Sequence, residues 1–69
     1  MPHSRAMPSI GAGCHELRII DDRRNWRIIY HVAEEAIVIL HLFEKKSRKT
    51  PRRVIEICRR RLRVFHAVS

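Results

Sequence analysis

The sequence predicts an α+β domain: an antiparallel three-stranded meander followed by one C-terminal amphipathic helix. Two observations carry that prediction. Between residues 14 and 43, three short segments rich in apolar, aromatic and β-branched residues are separated by polar turns. From Thr50-Pro51 onward the apolar residues recur at helical spacing instead.

Residues 1–13 contain Pro2, Pro8, Gly11 and Gly13 and show no sustained period, so they read as an irregular entry segment ahead of a core over 14–69. Cys14-His15-Glu16-Leu17-Arg18-Ile19-Ile20 alternates polar with apolar, the period of a half-buried strand. Asp21 to Asn25 is a polar turn. Trp26 to Val32 reads as a second strand from its aromatic and β-branched content. Glu34-Glu35 marks the next turn. Ala36 to Phe43 is almost continuously apolar, the pattern of a strand covered on both faces. Thr50 then serves as N-cap and Pro51 as first helical residue. Val54, Cys58, Leu62 and Phe65 form one stripe, while Arg52, Arg53, Arg59, Arg60 and Arg63 fall mostly on the other faces. The helix therefore covers one face of the sheet, and nothing obvious in the chain covers the other.

With 69 residues there is room for one domain. A chain this short buries only about 60% of the surface that its unfolded form exposes. Its two cysteines, Cys14 and Cys58, allow one bridge at most, and no secretory apolar stretch opens the chain. Free thiols in a reducing, cytoplasmic setting are expected. No apolar run approaches the roughly 18 residues that a membrane helix needs, so no membrane partner is expected.

Charge is the stronger signal. Fifteen Lys and Arg against seven Asp and Glu give a net charge of +8. Twelve of the fifteen cations are arginine, whose planar fork suits phosphate oxygens. That excess points to an anionic partner, nucleic acid first. A merely solvated basic surface, or an acidic partner protein, is the alternative.

Two groups of residues can carry chemistry. Arg18 and Arg27 flank the first turn, and a register that pairs them would place both guanidiniums on one face. Like charges in that position are unfavourable unless Glu16 compensates or an anion binds between them. A one-residue slip would separate them, and two solvated arginines remain the plain alternative. Lys45-Lys46-Ser47-Arg48-Lys49 enters the helix, and a basic loop ahead of a helix N-terminus is a natural phosphate site. Metal-free cleavage of RNA needs a base for the 2′-hydroxyl, cations for the pentavalent phosphate and an acid for the leaving oxygen. Arginines suit the second role, and Lys45 or Lys46, crowded by other cations, the first. No leaving-group acid is evident. His3, His15, His31, His41 and His66 match no zinc spacing, so neither a metal site nor a cofactor is expected. Cys58 lies on the apolar stripe, where a cysteine behaves as a small hydrophobe. There is no P-loop, no GxGxxG and no paired-carboxylate motif.

The order of these motifs resembles the phage-derived RelE/HigB-like toxins of the RelE/ParE superfamily. Glu16-Leu17-Arg18, then Trp26-Arg27-Ile28-Ile29-Tyr30, then Phe43-Glu44-Lys45-Lys46, then Lys49-Thr50-Pro51 and an arginine-rich helix follow a consensus of ELR, YRVIY, F-x-KK and KTP. The resemblance spans about Ser9 to Phe65. Trp26 stands where tyrosine is common and Cys58 where alanine is.

What the resemblance implies is a partial RelE/ParE-like fold and the toxin of a toxin–antitoxin pair, a ribosome-dependent mRNA endoribonuclease. Arg18, Arg27, Lys45 and Lys46 match the family's basic active-surface positions. Arg48, Lys49, Arg52 and Arg53 are the expected nucleic-acid contacts, and His66 is the candidate acid or base. Messenger RNA on the ribosome and a cognate antitoxin are the implied partners. Members of the family carry a first strand and two helices ahead of the ELR strand, so the resemblance implies an N-terminally shortened chain. A homodimer covering the bare sheet face would complete it. A catalytically inactive remnant that binds nucleic acid or antitoxin, and a ParE-like gyrase inhibitor, are the alternatives.

Overall fold

The computed structural model describes residues 3–44, 46 and 49–68. Four strands, β1 (His3–Ala6), β2 (Cys14–Asp21), β3 (Arg24–Val32) and β4 (Ile37–Glu44), form one antiparallel sheet in sequence order. A single helix, α1 (Arg52–Val68), packs on one face. The α+β meander with a C-terminal helix is as expected, but it has four strands rather than three.

The added strand is β1, which lies inside the segment read as irregular. His3-Ser4-Arg5-Ala6 has no alternation and no β-branched residue, so its local pattern says nothing of a strand. What makes it one is the open edge of β2, whose unpaired backbone groups it satisfies from His3↔Arg18 to Ala6↔His15. The connection to β2 is tight and apolar. The Met7 amide donates to the Cys14 carbonyl at 2.8 Å and the Ile10 amide to the Met7 carbonyl at 3.0 Å, while both side chains enter the core. Gly13 takes a φ of 74°, open to glycine at little cost. A Cβ on Gly11 would lie 2.8 Å from Leu62 Cδ2, so this glycine lets the loop press against α1.

The β2–β3 turn is shorter than the sequence suggests. Asp21 pairs with Arg24, leaving Asp22-Arg23 as a two-residue loop, with Asp22 at φ 48°. Between β3 and β4 the register shifts: Ile29 faces His41 and Tyr30 faces Ile39, so Leu40 is the extra residue of a bulge.

The covered face is built from Cys14, Ile29 and Leu40 of the sheet against Val54, Cys58 and Leu62 of the helix, with Met7 and Ile10 closing one side. Burial of Ile29 and Leu40 stabilises the fold by about 2 kcal/mol each. The Cys58 thiol, on the predicted apolar stripe, is fully buried, and burial pushes its pKa up to about 11. It is a protonated hydrophobe at neutral pH.

The third apolar segment has the pattern of a strand covered on both sides, but, as expected from the lack of a second covering segment, only one side is packed. Ile37, Ile39 and Leu42 of β4 are exposed, with Val32 of β3 and Ile19 of β2, and none of the described residues packs over them. No helix among the described residues is long and apolar enough to cross a membrane.

Candidate functional site

A buried carboxylate organises one end of the covered face. Strand alternation turns Glu16 inward between Cys14 and Arg18, and it is only 4% exposed. An isolated ion there would be strongly disfavoured, so it must gather donors. It does: Arg27 Nε and Arg5 Nε each lie 3.5 Å from Oε1, and the Thr50 hydroxyl donates to Oε2 at 2.7 Å. Arg27 is itself nearly enclosed, with 12% of its side chain exposed. Arg5 is open to solvent, so its pairing contributes less.

The register pairs Arg18 directly with Arg27 across β2 and β3, so the two guanidiniums share a face. Arg5 and Arg27 converge on the one carboxylate and Arg18 lies beside Arg27, which leaves the patch with an excess of positive charge. Arg27 is held by Glu16, while Arg18 is exposed. A fixed cation beside a free one is an arrangement that grips a phosphate without having to order both side chains first.

The start of α1 lies beside this patch. Phe43 pairs with Arg27, β4 ends at Glu44, and Thr50 comes back to Glu16. The exposed Lys46 and Lys49 between β4 and α1 and the first-turn Arg52 and Arg53 are therefore brought to the same end as Arg18 and Arg27. Arg52 is drawn partly aside by Glu56, 3.7 Å away at i,i+4. Lys45 and Arg48 lie outside the described residues.

Thr50 corrects the predicted helix start. It was expected to cap α1 with Pro51 as the first helical residue, but the Pro51 carbonyl receives the first amides, from Val54 at 3.0 Å and Ile55 at 3.2 Å. The Thr50 hydroxyl goes to Glu16 instead. A buried charged acceptor outcompetes a helix amide, because hydrogen bonds to charged groups are the stronger ones.

His66 is not brought to the arginines. It sits near the C-terminal end of α1, with its ring 5.3 Å from that of His31, four residues beyond Arg27 on β3. That places it roughly 13 Å along the strand from the patch.

Sequence reasoning missed His41, which lies on β4 two residues before Phe43. Its ring stacks on Phe43 at 5.8 Å, and its Nδ1 accepts a hydrogen bond from Arg61 Nη1 at 3.1 Å. Burial first, and the Arg61 guanidinium second, hold its pKa below the usual histidine range, so the imidazole is neutral at pH 7. The signal was weak: a histidine inside an apolar run gives no hint of its bulge.

The thiols do not form a catalytic site. Cys14 Sγ lies 3.6 Å from His31 Nδ1, but burial raises the thiol pKa, which keeps it from the nucleophilic thiolate form. Among the described residues no group of three or more His, Cys, Asp or Glu side chains could hold a metal ion.

Comparison with known proteins fits the motif order. The family model described as phage derived protein Gp49-like matches residues 1–63, while no curated protein and no solved structure matches the chain. This family is one of RelE/ParE-like toxins of toxin–antitoxin systems, for which an antitoxin partner is the expected companion. The chain, over nearly its whole length, belongs to the phage-derived Gp49-like family.

Proposed function

We propose that this protein is the toxin of a toxin–antitoxin pair and acts as an endoribonuclease on messenger RNA in the ribosome, in the bacterial cytoplasm. The observation that carries the reading is the direct pairing of Arg18 with Arg27 above the buried Glu16. Arg27, fixed by Glu16, and the exposed Arg18 clamp the scissile phosphate and stabilise the charge that builds up as the 2′-oxygen attacks and the bond from phosphorus to the 5′-oxygen breaks, that oxygen taking its proton from water. Lys45 or Lys46, in the basic segment ahead of α1, supplies the amine that takes the 2′-hydroxyl proton. Lys49, Arg48, Arg52 and Arg53 bind flanking phosphates beside the start of α1. His66 has no part in this scheme, because it lies at the other end of the sheet. An acidic antitoxin segment silences the toxin by occupying the same cations.

The test is induction of the 69-residue chain in a bacterial host, with growth followed and mRNA 5′ ends mapped, beside an Arg27→Ala, Lys45→Ala double variant. Growth arrest with new in-frame cuts, both lost in the variant, is the expected result. Normal growth with intact messages overturns the nuclease reading.

A further inference from the structure

We propose that His41 is a further RNA-contacting residue of the arginine site, its Nε2–H donating to a phosphate oxygen of the bound strand, and that Arg61 is the positioning residue that fixes the proton on that nitrogen. The inference rests on the reading of the patch as an RNA site and adds to it a contact of a different kind.

Arg61 sets the tautomer. Its Nη1 carries two N–H bonds, and it donates to the Leu40 carbonyl at 2.5 Å and to His41 Nδ1 at 3.1 Å. The bulge leaves Leu40 without a partner on β3, and Arg61 takes up its carbonyl. A guanidinium has no acceptor, so His41 Nδ1 must be the acceptor of this bond and the ring proton must sit on Nε2. A protonated ring would set a second positive charge against the guanidinium, and burial opposes it as well, so the imidazole stays neutral at pH 7. The two ring nitrogens point in nearly opposite directions. With Nδ1 turned to Arg61, Nε2–H is directed away from it. Among the described residues Arg61 is the one hydrogen-bond partner of this ring, which leaves Nε2–H as a spare donor.

Position gives that donor its task. His41 faces Ile29 and Phe43 faces Arg27, both toward the side of the sheet that α1 covers. His41 therefore stands one strand across and two residues along from Arg27, a Cα separation of about 8 Å. From there both side chains can reach one nucleotide. The ring is half-buried and lies on Phe43 at 5.8 Å, with 24° between the planes, so its direction is held from two sides. The patch already has an excess of positive charge, and a further cation would add to the repulsion between Arg18 and Arg27. A neutral N–H gives an anionic oxygen a directed hydrogen bond without that cost. His31 and His66 sit at the other end of the sheet and offer no such contact.

The experiment combines nitrogen-15 NMR of the histidine rings in the full chain with anisotropy titrations across salt. The probe is a single-stranded RNA with methylated 2′-oxygens, which cannot be cut. At pH 7 His41 should show a bare Nδ1 and a protonated Nε2, and Arg61→Met should give a mixture of tautomers. Added RNA should shift the His41 Nε2 signal. His41→Phe should weaken binding about tenfold with the slope of log K against log salt unchanged, because a neutral contact releases no counterion. His41→Gln, which keeps a donor, should bind more tightly than His41→Phe. A protonated Nδ1 in the parent, or a flatter slope in His41→Phe, would overturn the proposal. RNA binding by the parent with an unmoved His41 signal and full affinity in His41→Phe would overturn it while leaving the arginine site standing. No RNA binding by the parent would overturn both.

Discussion

Leu40 and Ile39 are neighbours on β4 with side chains of the same volume, yet one is 1% exposed and the other 60%. The bulge at this point keeps Leu40 under α1, and alternation turns Ile39 to the bare face. The covered face holds the core, and at its end the carboxylate–arginine cluster. The other is aliphatic over β3–β4 and has no charged residue at its centre. The difference teaches that an apolar run does not by itself say which of its residues build the fold. Only the layer packed on the strand decides that.

The largest effect should separate these two neighbours. Leu40→Ala should cost about 3–5 kcal/mol in urea unfolding, because the cavity lies against Ile29 and Cys58 and cannot drain to solvent. A 69-residue domain has little more stability than that, so the variant should be largely unfolded at 37 °C. Ile39→Ala, measured at a concentration that keeps the chain monomeric, should stay within about 0.5 kcal/mol of the parent. Equal losses at the two sites would break the comparison.

Next in size is the polar hub. Glu16→Gln removes the charge that Arg27 needs while it remains nearly buried, and should cost about 2–3 kcal/mol. Pairing it with Arg27→Met in a double-mutant cycle should recover about half of that loss. Additivity would show that the contact at 3.5 Å carries no coupling.

Cys58→Ser places a hydroxyl among Ile29, Leu40 and Val54 and should cost about 1–3 kcal/mol, with Cys58→Ala at the lower end. With its pKa at about 11, Cys58 should resist iodoacetamide at pH 8 until the protein is unfolded.

The smallest effect is the pH dependence from His41. Its folded-state pKa is depressed, so below its ordinary value of 6.5 the unfolded chain binds more protons. That contribution to stability is complete above pH 6.5 and is lost as the pH falls toward the folded-state value. A thermal scan should therefore show Tm falling between pH 7 and pH 5 by more in the parent than in His41→Gln. A steeper fall in the variant would contradict the sign.

Most of the fold was legible because its signals are local. Alternation marked β2, composition marked β3, and the stripe of Val54, Cys58 and Leu62 marked α1. The Arg18–Arg27 register was one of the pairings open at that turn, and only the structure decides it. What escaped depends on contacts distant in sequence. β1 exists because β2 offers an open edge, which nothing in His-Ser-Arg-Ala announces. Thr50 has the local signature of a cap, and only a carboxylate 34 residues away redirects it. The bulge that brings Leu40 and His41 to the covered side is invisible in a continuous apolar run. The bare face of β4 was legible, because the helix covers one face and no other segment of the chain offered a cover for the second.

The central claim is that the Glu16-anchored arginines form the RNA-binding surface. Its most direct test is the salt dependence of single-stranded RNA binding by fluorescence anisotropy, comparing the parent with Arg18→Ala, Arg27→Ala and with Val64→Ser. The account predicts that the arginine variant binds at least about tenfold more weakly and that its log K against log salt slope flattens by about 1.4, the share of two phosphate contacts. Val64→Ser should match the parent. Equal affinity and slope in the arginine variant would contradict the account, and would place the anion-binding surface elsewhere on this basic chain.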